Sequence, residues 1–170
     1  MIGVLYSLIL PITLAEAQIF EGRVVRISDG DTLILLDGSN RQQKIRLSGI
    51  DAPEKGQPYG TASKRVLADL VYGRTVISQC IKRDKYERHV CRILLYGLDV
   101  NLEQVRKGYA WHYRKYQDEQ PLSDRLVYSE AEKKARSARI GLWSDKNPLA
   151  PWDFRKEKKF SQKILSAEKP

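Results

Sequence analysis

Lys44-Ile45-Arg46-Leu47-Ser48-Gly49-Ile50-Asp51-Ala52-Pro53-Glu54 reads as a strand that runs out into an acidic loop. Apolar residues at 45, 47 and 50 supply its buried side, and Pro53 stiffens the loop that follows. The same stretch carries an arginine suited to phosphate, Arg46, and two carboxylates, Asp51 and Glu54, suited to a hard cation or to proton transfer. Strict alternation would put Arg46 and Asp51 on opposite faces, since their separation is odd. Both can face one site only if the backbone bends between them, and Gly49 permits that bend.

Toward the N-terminus two further strands precede this one. Phe20, Val24, Val25 and Ile27 lead to a turn at Asp29-Gly30, and Thr32-Leu33-Ile34-Leu35-Leu36 forms the second strand. Asp37-Gly38-Ser39-Asn40 is the next turn, and Gln42 to Ser48 is the third strand. Three meandering strands with short turns open a small antiparallel barrel or sandwich. Asp31 follows the glycine of its turn, so it starts the second strand and can be held rigidly beside the end of the third.

Toward the C-terminus the pattern predicts a packing helix from about Thr61 to Tyr72. Its apolar stripe lies at 62, 66, 67, 70 and 71, and Gly73 stops it. Strands over Thr75–Lys82 and His89–Tyr96 flank the charged turn Arg83 to Arg88 as a hairpin. Asn101 is placed to cap a short helix ending near Gly108. Cys80 and Cys91 are nearly equidistant from the hairpin tip, so a symmetric register sets them opposite each other. Opposed residues in a non-hydrogen-bonded pair lie about 4.5 Å apart at Cα, within reach of a disulfide. A bridge and two buried free thiols are the two readings, and export would favour the bridge.

Tyr109-Ala110-Trp111-His112-Tyr113-Arg114-Lys115-Tyr116 interleaves rings and cations, which suits stacking on bases and pairing with phosphates, or packs a core. A helix from about Ser123 to Arg139 should bury Leu126, Val127, Ala131, Ala135 and Ala138. Beyond Trp152 the chain is charged, and residues 156–170 read as a disordered basic tail.

Bulk properties agree with a single domain of 170 residues. A formal charge of +9 points to a polyanionic partner. There is no GxGxxG, no GxxxxGK[ST] and no CxxC, and the two histidines and two cysteines have no zinc-ligand spacing. Residues 1–17, apolar to Leu14 and closing on Ala15-Glu16-Ala17, read as a signal peptide lacking a basic n-region. The expectation is export, to the periplasm or the medium, without stable membrane association once processed. The domain proper would occupy 18–155.

Asp29-Gly30-Asp31-Thr32, Arg46 to Glu54, Asp84-Lys85-Tyr86-Glu87-Arg88 and Gly141-Leu142-Trp143, in that order and at these intervals, resemble the staphylococcal (micrococcal) nuclease family. The resemblance runs from about Phe20 to Arg155. It implies an α+β, mainly β fold: a five-stranded OB-type barrel with about three helices. It also implies calcium-dependent hydrolysis of DNA and RNA by a monomer, with single-stranded or locally opened substrate preferred. By position, Asp31 and Asp51 would bind Ca²⁺ with the Ala52 carbonyl, and Arg46 and Arg88 would bind the scissile phosphate. Glu54 would be the base, and Lys85 and Tyr86 would lie near a neighbouring phosphate. Tyr113, Arg114 and Tyr116 are the stacking and pairing candidates of the aromatic stretch. Ala52 stands where some members have threonine, and Glu87 where glycine is common. A positive φ at Glu87 would cost about 1–2 kcal/mol and place a negative charge beside Arg88. The competing reading is a non-catalytic OB-type module that binds single strands or a protein. Such a module has no use for the carboxylates, which repel phosphate unless a cation sits between them.

Overall fold

A computed structural model describes residues 18–167; the signal-peptide expectation for 1–17 lies outside them. Strands β1 (Gln18–Ile27), β2 (Thr32–Asp37) and β3 (Gln42–Leu47) form the expected meander. After β4 (Ile50–Asp51) and helix α1 (Gly60–Val71) come β5 (Thr75–Arg83), β6 (His89–Leu95) and β7 (Leu98–Asp99). Helix α2 (Val100–Arg106), β8 (Trp111–His112), α3 (Leu122–Ser137) and α4 (Pro151–Ala167) complete the order.

β1 organises the sheet because it is long enough for two partners. Its first half pairs with β5 and its second half with β2, giving the order β3-β2-β1-β5-β6. Gly22 sits where the two pairings overlap, and a Cβ there would run into the Leu36 carbonyl oxygen. A parallel pairing of β3 with β6, Arg46 opposite Val90, then closes five strands into a barrel, the OB-type architecture. The alternate positions Val24, Leu33, Leu35, Ile45, Leu47 and Ile93 fill its interior. Full burial of each such side chain contributes about 1.5–3 kcal/mol.

The hairpin register sets Cys80 opposite Cys91, and the two form a disulfide. A bulge between Cys80 and Lys82 absorbs one residue and swings the tip. The short helix starts earlier than its pattern suggested: Asp99 is the cap, its carboxylate accepting the Leu102 N–H at 3.0 Å. Asn101 is buried instead, donating to the Ser48 and Cys91 carbonyls at 3.0 Å and so tying the end of β3 to β6.

Two further expectations fail. Leu126, Val127 and Ala138 face solvent, because α3 is rotated to bury Tyr128, Ala131, Glu132 and Ala135. Polar contacts set that face: the Tyr128 hydroxyl donates to Asp99, and Glu132 accepts the His112 N–H. The tail after Lys156 is helical through Ala167, a fourth helix, rather than frayed. Pro151 opens α4 at a position that needs no N–H, and Trp152 anchors it against Trp111 and Tyr113. That packing supplies the nucleus a charged helix lacks on its own.

Candidate active site

The end of β3 and the start of β2 meet at the barrel's closing seam. Thr32 lies opposite Arg46 in the β2–β3 register, so Asp31 comes beside the arginine. The Arg46 guanidinium pairs with Asp31 Oδ2 at 2.5 Å and donates to Asp51 Oδ1 at 2.9 Å. The expected bend between Arg46 and Asp51 is present. Gly49 has φ 72°, and a Cβ there would strike the Gln120 side chain. β4 then pairs with β8, which holds Asp51 opposite Trp111.

The Asp31 loop is clamped from below. Gln104 donates its amide to the Gly30 carbonyl at 2.7 Å, and a Cβ on Gly30 would overlap Ser63 Oγ. Asp31 Oδ2 accepts the Ala52 N–H at 2.7 Å, which locks the acidic loop onto it. Glu54 is positioned by Gln57, whose amide oxygen accepts the Glu54 N–H while its NH₂ donates to the Leu149 carbonyl.

Arg88 follows from the same register. Val90 is opposite Arg46 and Arg88 is two residues earlier, on the same face. Asp84 grips it through Nε at 2.8 Å and Nη2 at 2.7 Å, and its Nη1 reaches Thr32 Oγ1 at 3.4 Å. Thr32 Oγ1 in turn donates to Asp31 Oδ1. Glu87 does adopt φ 58°, but its carboxylate points to Arg83 at 3.5 Å rather than to Arg88. The turn therefore carries the strain while Arg88 is spared the like-side charge.

Electrostatics concentrate at Asp51, whose side chain is 1% exposed. Burial pushes its carboxyl upward, against the opposing pull of Arg155 and Arg46. Arg46 is itself held charged above its ordinary range; burial opposes this, and Asp31 and Asp51 outweigh it. Burial and then the Asp31 charge push the Asp29 carboxyl up to about 7, which limits the negative charge of that loop near neutrality.

Arg155 was read from the sequence only as one charge of the tail, yet it enters the site. Its guanidinium donates to Asp51 Oδ2 at 2.6 Å and Oδ1 at 3.1 Å, and to Glu54 Oε1 at 2.6 Å. The spacing Trp152 to Arg155, one helical turn, is the signal that places it: the ring packs on Tyr113 and the arginine reaches over Asp51. Asp84, Thr32 and Gln104 were likewise not singled out.

The remaining candidates separate. Tyr113 stacks on Trp152 at 5.4 Å, and burial followed by the Asp51 charge raises its hydroxyl's pKa. Tyr86 is exposed with Lys85 and Arg88 over its ring, and Tyr116 is exposed beside Lys82 and Lys115. Arg114 turns away to α3, where it pairs with buried Glu132 at 2.7 Å. Among the described residues no group of three or more His, Cys, Asp or Glu side chains is placed to hold a metal ion. The donors here are all oxygen, which fits a hard cation that completes its shell with carbonyls and water, and the site already accommodates positive charge in the form of guanidinium.

The fold and site are those of an OB-type barrel with paired guanidiniums and carboxylates at its seam, and sequence comparison gives the family. Residues 44–145 match the model of the family described as staphylococcal nuclease homologue. The chain is 41% identical over 139 residues to a protein of Haemophilus influenzae named "Uncharacterized endonuclease", covering 82% of this chain and 75% of that one. It is 41% identical over 138 residues to a protein of the same name in Escherichia coli O157:H7, covering 81% and 86%. It is 40% identical over 150 residues to a "Micrococcal nuclease" of Shigella flexneri, covering 82% and 83%. The chain belongs to the staphylococcal nuclease homologue family.

Proposed function

We propose that the chain is a Ca²⁺-dependent nuclease that hydrolyses the phosphodiester bonds of DNA and RNA with little base preference. The observation that carries this reading is the meeting of Arg46, Arg88, Asp31, Asp51 and Glu54 on one face of the closing seam, from three separate stretches of the chain. Attack of water on a phosphodiester builds negative charge on the equatorial oxygens. Arg46 and Arg88 are placed to take up that charge, and they do so more strongly in the transition state than in the ground state. Glu54, half-exposed at the loop end, orients the attacking water and accepts its proton. Asp31 and Asp51, with the Ala52 carbonyl, are the residues that would hold the cation, which adds positive charge beside the phosphate when bound.

Lys85 and Tyr86 would meet a neighbouring phosphate, while Tyr113 and Tyr116 offer ring faces to unstacked bases. Stacking of that kind needs bases out of the duplex, which supports a preference for single-stranded or locally opened substrate. Arg114, engaged with Glu132, contributes to the fold of this wall and not to substrate contact. The disulfide supports an exported protein working in an oxidising compartment, and we take it to act as a monomer.

The test is incubation of the chain from Gln18 with single-stranded DNA, duplex DNA and RNA, in Ca²⁺ or in EGTA, beside Arg46→Ala. Cleavage that requires Ca²⁺ and disappears in the variant is expected. Nucleic acid that is bound but left intact in Ca²⁺ would instead favour the non-catalytic binding module.

A further inference from the structure

Asp51 is saturated. Its Oδ1 accepts from both Arg46 and Arg155, and its Oδ2 accepts from Arg155. Among the described residues, Arg155 alone bonds the side chains of both Asp51 and Glu54. The two arginines are not equivalent. Arg46 is 14% exposed, rises from a barrel strand and is held by Asp31 as well. Arg155 is 37% exposed, comes from a helix outside the barrel, and has an open path to solvent.

Charge decides which guanidinium yields. Three carboxylates, Asp31, Asp51 and Glu54, face two guanidiniums. A dication added to both would leave the cluster net positive at short range, whereas a dication replacing Arg155 leaves it neutral. Like charges confined in a partly buried site repel strongly, so replacement wins over addition.

We infer that Arg155 is an internal counter-ion that competes with the divalent cation for Asp51, so that α4 sets the cation affinity of the site. This rests on the cation-binding role proposed above for Asp51. The guanidinium holds Asp51 and Glu54 at a fixed spacing while the cation is absent and swings out into solvent, to which it is already 37% exposed, when the cation binds. Trp152, packed on Trp111 and Tyr113, keeps the helix in place during that exchange, so the movement is confined to the Arg155 side chain.

Calorimetric titration of Ca²⁺ into the parent chain, Arg155→Gln, Arg155→Lys and Asp51→Asn, without nucleic acid, tests the inference. Arg155→Gln should bind Ca²⁺ about tenfold tighter or more, because a bidentate charged pair no longer has to be broken. Arg155→Lys keeps the charge without the fork and should tighten binding by a smaller factor; it also decides the question if circular dichroism shows the Gln variant unfolded. Asp51→Asn should lose the site. Ca²⁺ binding that depends on Asp51 but is no tighter in the Arg155 variants overturns this inference and leaves the cation-binding reading intact. No Asp51-dependent binding in any form overturns both.

Discussion

Single residues carry both the strain and the polarity of this fold. Glu87 sits at φ 58° in the tip of the β5–β6 hairpin, where its N–H donates to the Asp84 carbonyl. Glu87→Gly is therefore expected to stabilise the chain by roughly 0.5–1 kcal/mol, the left-handed penalty less the glycine's entropy, measured by urea unfolding. An equal loss of stability would mean the turn is not strained. Asp37 caps the β2–β3 turn, accepting from the Ser39 and Arg41 N–H groups and from Gln43 Nε2, each at 2.9 Å. Chiefly the Gln43 bond, then the Arg41 N–H, lowers its carboxyl to about 2. A carboxyl lowered on folding contributes stability that is complete above its ordinary value of 3.8 and is lost as the pH falls toward 2. Asp37→Ala should thus lower Tm at neutral pH, with the gap to the parent closing through that acid window; a gap constant with pH would refute the assignment. Asp31, Arg46, Asp51, Glu54 and Arg88 were legible through the resemblance of their motifs, in order and interval, to a known family. Asp84 and Thr32 were not, since they act by holding Arg88 and, for Thr32, by linking it to Asp31, which local spacing does not encode.

At the scale of elements, period and turn chemistry exposed the strands, α1 and the hairpin, whose Cys80–Cys91 register follows from symmetry about the tip. The disulfide clamps the strands that present Arg88. Replacing both cysteines with alanine is expected to cost about 2–3 kcal/mol in unfolding free energy, with slower cleavage as the hairpin loosens. Unchanged stability would show that the sheet alone fixes the register. The helices were harder to read than the strands. The buried face of α3 is chosen by Tyr128 on Asp99 and by Glu132 under Arg114 and His112, so an apolar count found Ala131 and Ala135 but missed these two and added Leu126, Val127 and Ala138. Helix α4 exists because Trp152 packs into an aromatic cluster built by residues some forty positions earlier, information that composition of the tail does not contain.

The whole molecule is a closed barrel whose seam gathers charge, within a chain of net charge +9. Phosphate attraction should make its binding to single-stranded DNA steeply salt-dependent in EGTA. Removing one phosphate contact, as in Lys85→Ala, should lower the slope of log affinity against log salt by about 0.7. A slope unaffected in anisotropy titrations would place Lys85 outside the path of the strand. The central claim is that the two arginines, delivered to one site by β3 and by the β5–β6 hairpin, hold the phosphate during cleavage. Single-turnover cleavage of a short single-stranded DNA in saturating Ca²⁺ by Arg88→Ala tests it most directly, because Arg88 bonds neither Asp31 nor Asp51 directly and its side chain is held by Asp84 at the hairpin. The rate is expected to fall by about 100-fold or more, while affinity measured in EGTA falls by less than about tenfold. A variant that cleaves at the parent rate would contradict the account.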